Sequence, residues 1–193
     1  MKTLYVCSDY QKDLVNKNGK FYIQDAESIR GNIKKIIDHA KRNKIKVIST
    51  GDAHTTVSKE VSKFPDMVST FPEHCMVGDE GMEFIHEIDK DYLIIDYTSD
   101  VFPINDVIKN NIILYKDHVN IFDENAGNPW ALNTFLAFSP ETVVVFGLNV
   151  DDLVAGLIED MYTVVVIKDA VLGINKGWKD LGVRVIDTNT LIK

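Results

Sequence analysis

Cysteine is scarce: Cys7 and Cys75 are the 2 thiols in a chain of 193 residues. A pair like this cannot make the disulfide framework of a small secreted scaffold. Basic charge is also short, with 21 Lys and Arg against 29 Asp and Glu, for a net charge of −8. Such a balance argues against a broad nucleic-acid or membrane-surface patch, which would need clustered cations. The basic pairs Lys34-Lys35 and Lys41-Arg42 fall on a predicted helix and read as its solvated face. No apolar run approaches membrane-spanning length, and residues 1–7 lack the long apolar core of a signal peptide, so a cytoplasmic setting is expected. Internal repeats, low-complexity tracts and interdomain linkers are missing too. What remains, 45% hydrophobic and 26% charged residues, is an ordinary globular composition. Residues 1–193 are read as a single domain, long enough for one sizeable core.

Short apolar runs alternate with helix-period segments. The runs cover 4–7, 45–50, 111–115, 142–146, 163–167 and 183–186, with a further candidate strand at Tyr92-Leu93-Ile94-Ile95. Nearly continuous apolar character is expected of strands buried on both faces. Ile29, Ile33, Ile36, Ile37 and Ala40 form one helical stripe. Pro129-Trp130 opens a second helix ending near Ser139-Pro140, and Val154, Leu157 and Ile158 share a face of a third. This alternation predicts an α/β fold, a three-layer α/β/α sandwich around a mainly parallel sheet of about six strands. Residues 55–80 are a long polar loop, uncommon in a compact domain unless it serves a function.

Polar residues collect where such sheets bind ligands, beyond the carboxyl ends of strands. Asp9 follows the first run, Asp52-Ala53-His54 the second, Lys116 the third and Gly147-Leu148-Asn149 the fourth. Asp52 and His54, joined by His74 across a loop, supply one carboxylate and two imidazoles. That donor set suits zinc, iron or manganese and leaves positions open for water or a small molecule. A carboxylate and an ammonium, Asp9 and Lys116, converging on the same crevice would favour each other's charged forms.

The same residues carry a family pattern. Ser8-Asp9-Tyr10-Gln11-Lys12-Asp13-Leu14 resembles the opening D-x-Q-x-D-F/L segment of the isochorismatase-like cysteine hydrolases, and Asp52-Ala53-His54 matches their metal motif. Phe71-Pro72-Glu73-His74-Cys75-Met76-Val77-Gly78-Asp79-Glu80-Gly81 is similar to W/F-P-x-H-C-x-x-G-T-x-G, and Lys116 with Phe122 to K-x-x-x-S-x-F. The nicotinamidase branch is the nearest in pattern. The resemblance implies that Asp9 and Lys116 are catalytic and that Asp52, His54 and His74 hold a divalent metal, zinc first, with iron or manganese as alternatives. It also implies that Gly147-Leu148-Asn149-Val150-Asp151, like G-V-x-T-D, carries a cis peptide and oxyanion-hole amides. Leu148, Asn149 and Leu153 are the residues concerned.

One position departs from the pattern. The family's nucleophilic cysteine lies six residues after the glycine, and counting from Gly147 reaches Leu153. An isobutyl group cannot attack a carbonyl, so thiol-dependent amide hydrolysis is not expected. Cys7 reads as a buried small hydrophobe and Cys75 as a neighbour of a metal ligand. Asn120 replaces the family serine, Asp152 adds a carboxylate beside the missing thiol, and Gly173 and Gly177 interrupt an expected helix. The expected function is a non-catalytic small-molecule binder. In nicotinamidases the metal holds a pyridine nitrogen, so a pyridine carboxamide or carboxylate is the ligand implied. The alternatives are a cysteine-independent hydrolase using metal-bound water or the Asp/Lys pair, as isochorismatases do, and a scaffold subunit. Expected partners are a small-molecule ligand, without nucleic acid or membrane; the subunit number stays open, a homo-oligomer included. His39, His86 and His118 are read as structural or solvent-facing, and Trp130 and Phe135 as core.

Overall fold

The structure is a computed structural model that describes residues 2–85, 92–123 and 125–193. Its sheet contains β1 (Thr3–Ser8), β2 (Val47–Asp52), β3 (Leu93–Ile95), β4 (Ile112–Lys116), β5 (Thr142–Gly147), β6 (Thr163–Val171) and β7 (Arg184–Ile186). The strands lie in the order β3-β4-β2-β1-β5-β6-β7, and every pairing is parallel. The sheet thus has seven strands where about six were expected; the addition is the run ending at Ile95. This strand is hard to read because it is a short edge, and Ile94 faces solvent on it.

Alternation along the central strand divides the core into two layers. Tyr5 and Cys7 pack with Ile33, Ile36, Ile37 and Ala40 of α2 (Arg30–Asn43), while Leu4 and Val6 join the opposite layer. The short α1 (Lys12–Val15) contributes Leu14 and Val15 to the first layer, and α6 (Thr188–Leu191) adds Leu191 at its edge. On the other face lie Val107 of α3 (Ile104–Val107), Phe135 and Phe138 of α4 (Ala131–Phe138), and Val154 and Leu157 of α5 (Val150–Glu159). The helical stripe therefore turns toward the sheet, and Lys34, Lys35, Lys41 and Arg42 point to solvent. Phe135 is fully buried, and the half-buried Trp130 stacks on Phe102 with ring centroids 5.6 Å apart. His39 accepts or donates one bond to the Tyr5 hydroxyl at 3.0 Å, a structural role. His86 lies outside the described residues.

Two boundaries differ from expectation. The run at 45–50 begins pairing only at Val47, because Lys44 ends α2 in the left-handed conformation and the Ile45 N–H still caps the Ala40 carbonyl at 2.9 Å. The strand then extends to Asp52, which stands in register with Lys116 on β4. Between β6 and β7, Gly173 takes φ +79° and the chain forms a 3-10 turn at Lys176–Lys179. Among the described residues, no helix is long and apolar enough to cross a membrane.

The connection order reverses between β1 and β5: β1 leads to β2 on one side, and β4 crosses to β5 on the other. Carboxyl-end crevices at such a reversal are where open parallel sheets place ligands. Asp9 leaves β1 there, and Gly147-Leu148-Asn149 leaves β5 beside it.

Candidate metal centre and Asp/Lys pair

Neighbouring strand ends bring the charged residues together. Lys116, 1% exposed, reaches Asp9 Oδ2 at 3.2 Å and also bonds Asp52 Oδ1. Asp9 is held by its own backbone turn (φ 49°) and accepts further bonds from the Thr50 hydroxyl and the Asn149 side-chain amide, each at 3.2 Å. Burial pushes the Asp9 carboxyl up, against the pull of Lys116 and with help from the Asp52 charge, to about 7. For Asp52 burial works in the same direction, but Lys116 and His74 outweigh it and hold the carboxyl well below its ordinary range. Burial opposes the Lys116 charge as well, and the two carboxylates raise its pKa above that of an ordinary lysine.

On the far side of Asp52 stand the imidazoles. His74 Nε2 is 3.7 Å from Asp52 Oδ2, and the rings of His54 and His74 meet at 4.7 Å between centroids. One donor atom from each of Asp52, His54 and His74 falls within 4.8 Å of the others, and all three residues are buried. The outward nitrogens are already used: His74 Nδ1 bonds the Pro72 carbonyl at 2.7 Å, and His54 Nδ1 bonds Asp117 Oδ1 at 2.8 Å. Both partners are acceptors, so each Nδ1 carries a hydrogen, and in the neutral rings each Nε2 presents a lone pair inward. Burial opposes charge on His74, but the Asp52 carboxylate outweighs it and raises the imidazole's pKa, so at that ring a metal would take the place of a proton on Nε2. Among the described residues, His54 Nε2 is buried with no hydrogen-bond partner. An orphaned buried lone pair is costly, and whenever Asp9 as well as Asp52 is ionised the single Lys116 ammonium leaves the cluster with net negative charge. A divalent cation answers both deficits, so the donors present fit a zinc-type ion.

Two buried side chains outside the metal set hold this arrangement. Gln11 accepts from the Asp52 N–H at 2.7 Å and donates to the Asp52 carbonyl at 2.7 Å and the Met82 carbonyl at 2.8 Å. Asp13 accepts from the Cys75 N–H at 2.8 Å and the Lys20 N–H at 3.0 Å, fixing the loop that bears His74. Gly81 packs directly on this carboxylate; a Cβ there would stand 2.1 Å from Asp13 Oδ2. Gly81→Ala is therefore expected to cost about 1–3 kcal/mol, read as a lower urea midpoint, and to weaken metal binding through displacement of the loop. Both side chains belong to the Ser8–Leu14 segment, whose pattern alone assigns them no role.

The β5 exit corrects two expectations. All described peptide bonds are trans, so the cis peptide implied for Leu148-Asn149 is not found. The turn is made instead by Gly147 at φ +109°, whose α-carbon faces the Ser8 backbone too closely for any side chain, and by Asn149 at φ 48°. Nor is the Leu148 amide free to receive an oxyanion, since it donates to the Ser8 carbonyl at 2.7 Å. Leu153 lies on the buried side of α5, within the apolar layer that contains Val6, Phe135 and Leu157. Asp152, expected beside the missing thiol, is exposed. Asn120 closes a local turn by accepting the Phe122 N–H at 2.9 Å. His118, half-buried, pairs with Glu60 at 3.3 Å and lies outside the metal set. Cys7 is buried in β1, as a small hydrophobe should be.

Comparison with known proteins places this geometry. The isochorismatase domain model matches residues 3–192. N-carbamoylsarcosine amidase from Thermoplasma acidophilum shares the fold with a TM-score of 0.70 and 23% identity, over 98% of each chain. A nicotinamidase/pyrazinamidase from Bacillus subtilis matches with a TM-score of 0.70 and 19% identity, over 97% of this chain and 100% of its own. The pyrazinamidase of Pyrococcus horikoshii, solved in complex with zinc, gives 0.70 and 16%, over 97% of this chain and 99% of its own. No curated protein sequence matches this one. The domain match runs from the first residue of β1 to beyond the last helix, and on that ground the chain belongs to the isochorismatase family.

Proposed function

We propose that this family member binds a small pyridine-type molecule at a divalent metal without hydrolysing it through a thiol. The observation that carries the reading is the contrast between the strand-end cluster and helix α5 beside it. Asp9, Lys116, Asp52, His54 and His74 are gathered in one buried cluster, while Leu153, at the nucleophile's place in the family pattern, is sealed in the core. Cys75 does not stand in for it. Burial, with the nearby Asp52 and Asp13 carboxylates, raises its thiol far above the ordinary range, and its sulfur lies 3.8 Å from the Gly81 carbonyl. A thiol kept protonated is a poor nucleophile.

The surroundings suit a flat, polar ligand. Phe21 and Phe71 pack edge-on against His74 with ring centroids at 4.9 and 6.4 Å, giving the metal side an aromatic border. A cavity of about 410 Å³ lies against Ile23, Leu148, Asn149, Leu172 and Trp178, within the size range of small-molecule pockets. None of the five cluster residues lines this cavity; Asn149 stands between, lining the cavity and donating to Asp9. Asp52, His54 and His74 would hold the ion, zinc by preference, since the similar pyrazinamidase was solved in complex with zinc. When bound, it supplies an electrophilic centre for a ring nitrogen and turns the cluster's net charge positive, which favours a pyridine carboxylate.

A second reading rests on Asp9. A carboxyl raised to about 7 is matched to proton transfer at neutral pH, so Asp9 and Lys116 could serve a cysteine-independent hydrolysis. Titration calorimetry on the zinc-loaded protein with nicotinate and nicotinamide, paired with an ammonia-release assay, separates the readings. One equivalent bound without ammonia release is the expected result. Turnover that disappears in Asp9→Ala would replace it with the second reading, and binding of neither compound would leave the pyridine assignment unsupported.

A further inference from the structure

The two metal-facing imidazoles are oriented by different means. His74 is set by a backbone carbonyl, that of Pro72, which no substitution removes. His54 depends on one side chain. Asp117 directly follows Lys116 at the end of β4, and its backbone N–H is anchored on the Ala126 carbonyl at 2.9 Å. Its Oδ1 accepts from His54 Nδ1 and from the Ser58 hydroxyl. Ser58 Oγ in turn accepts the Thr55 N–H at 2.7 Å, so its hydrogen is directed to Asp117. The carboxylate is thus purely an acceptor, and the hydrogen on the buried ring of His54 is fixed at Nδ1. That leaves the unpartnered Nε2 facing His74 and Asp52.

We infer that Asp117 is a positioning residue for the metal centre: it selects the His54 tautomer whose Nε2 can coordinate, and it strengthens that nitrogen as a donor. The inference rests on the metal reading above. Carboxylate partners of ligating histidines act in this way, and removing one commonly lowers metal affinity by about 10–100-fold. Ser58 is an accessory to the same contact: it orients Asp117 and ties the loop after His54 to the end of β4. Nothing in the sequence pairs Asp117 with His54, which stand 63 residues apart.

Zinc competition against a chromogenic chelator, run on wild type, Asp117→Ala and Asp117→Asn, tests the inference. Wild type is expected to bind one zinc; Asp117→Ala should bind it about 10–100-fold more weakly, and Asp117→Asn should recover much of the loss because its carbonyl still accepts the Nδ1 hydrogen. Nitrogen-15 NMR of the metal-free proteins supplies a second readout that general loosening would not mimic. His54 should be a single Nδ1–H tautomer in wild type and a mixture in Asp117→Ala. Equal zinc affinity in wild type and Asp117→Ala would overturn the inference while leaving the metal site standing. An Nε2–H tautomer in wild type would overturn it without any variant, even if Asp117→Ala failed to fold. Absence of zinc binding by the wild type would remove the metal reading, and this inference with it.

Discussion

Zinc in hundredfold excess over its dissociation constant is expected to raise the unfolding temperature by about 5–10 °C, and to leave His74→Ala unmoved. The magnitude follows from linkage: a ligand at that excess stabilises the native state by about 2.7 kcal/mol, and one kcal/mol shifts a domain of this size by roughly 2–4 °C. The metal-free cluster explains why the gain should be available. His54 Nε2 has no partner among the described residues, and Asp9 and Asp52 share the Lys116 ammonium between them. His74→Ala deletes one donor and leaves the Asp52–Lys116 contact in place, so the variant should fold. Differential scanning calorimetry with and without zinc reads both proteins. A rise of the same size in His74→Ala would mean that zinc binds elsewhere.

Lys116→Met is expected to destabilise the metal-free protein by about 3–5 kcal/mol, since breaking a buried ion pair strands its partners in a poor solvent. Here there are two partners: Asp9 is fully buried and Asp52 is 4% exposed. The loss should depend on pH in a defined direction. Asp9 is raised from 3.8 to about 7 in the folded chain, so its contribution to stability is present below 3.8 and fades as pH rises through about 7. A protonated Asp9 needs no counter-charge. The deficit of Lys116→Met relative to wild type should therefore be smaller at pH 5 than at pH 8. Urea unfolding of both proteins at the two pH values, with chelator present, measures it. An equal deficit at both would mean that Asp9 is not the group left stranded.

The main strands could be read from the sequence because both faces of a parallel sheet are covered, which makes their apolar runs nearly continuous. The run ending at Ile95 was marginal for the opposite reason, being a three-residue edge with one residue facing water. Asp9, Asp52, His54 and Lys116 could be gathered in advance because one topological rule sends strand ends to the same crevice. His74 is different: it sits in a long loop rather than at a strand end, and its place in the metal set follows from the donor set and from its motif, not from the topological rule. Contacts made through space were not readable. Gln11 clasps the Asp52 backbone across 41 residues of chain, and local periodicity says nothing about such a pair. Asp117 could have been suspected only as an acid following a strand-end lysine. The cis peptide is implied by the family pattern alone, whereas Gly147 and Asn149 make the turn with positive φ angles and trans bonds.

Anomalous diffraction at the zinc edge, from crystals of protein purified without chelator and soaked in zinc, tests the central claim most directly. The account predicts one strong peak bounded by Asp52, His54 Nε2 and His74 Nε2, with Asp9 and Lys116 beside it and the Leu153 side chain still in the core. A peak elsewhere, or none with these imidazoles turned away from one another, would contradict it.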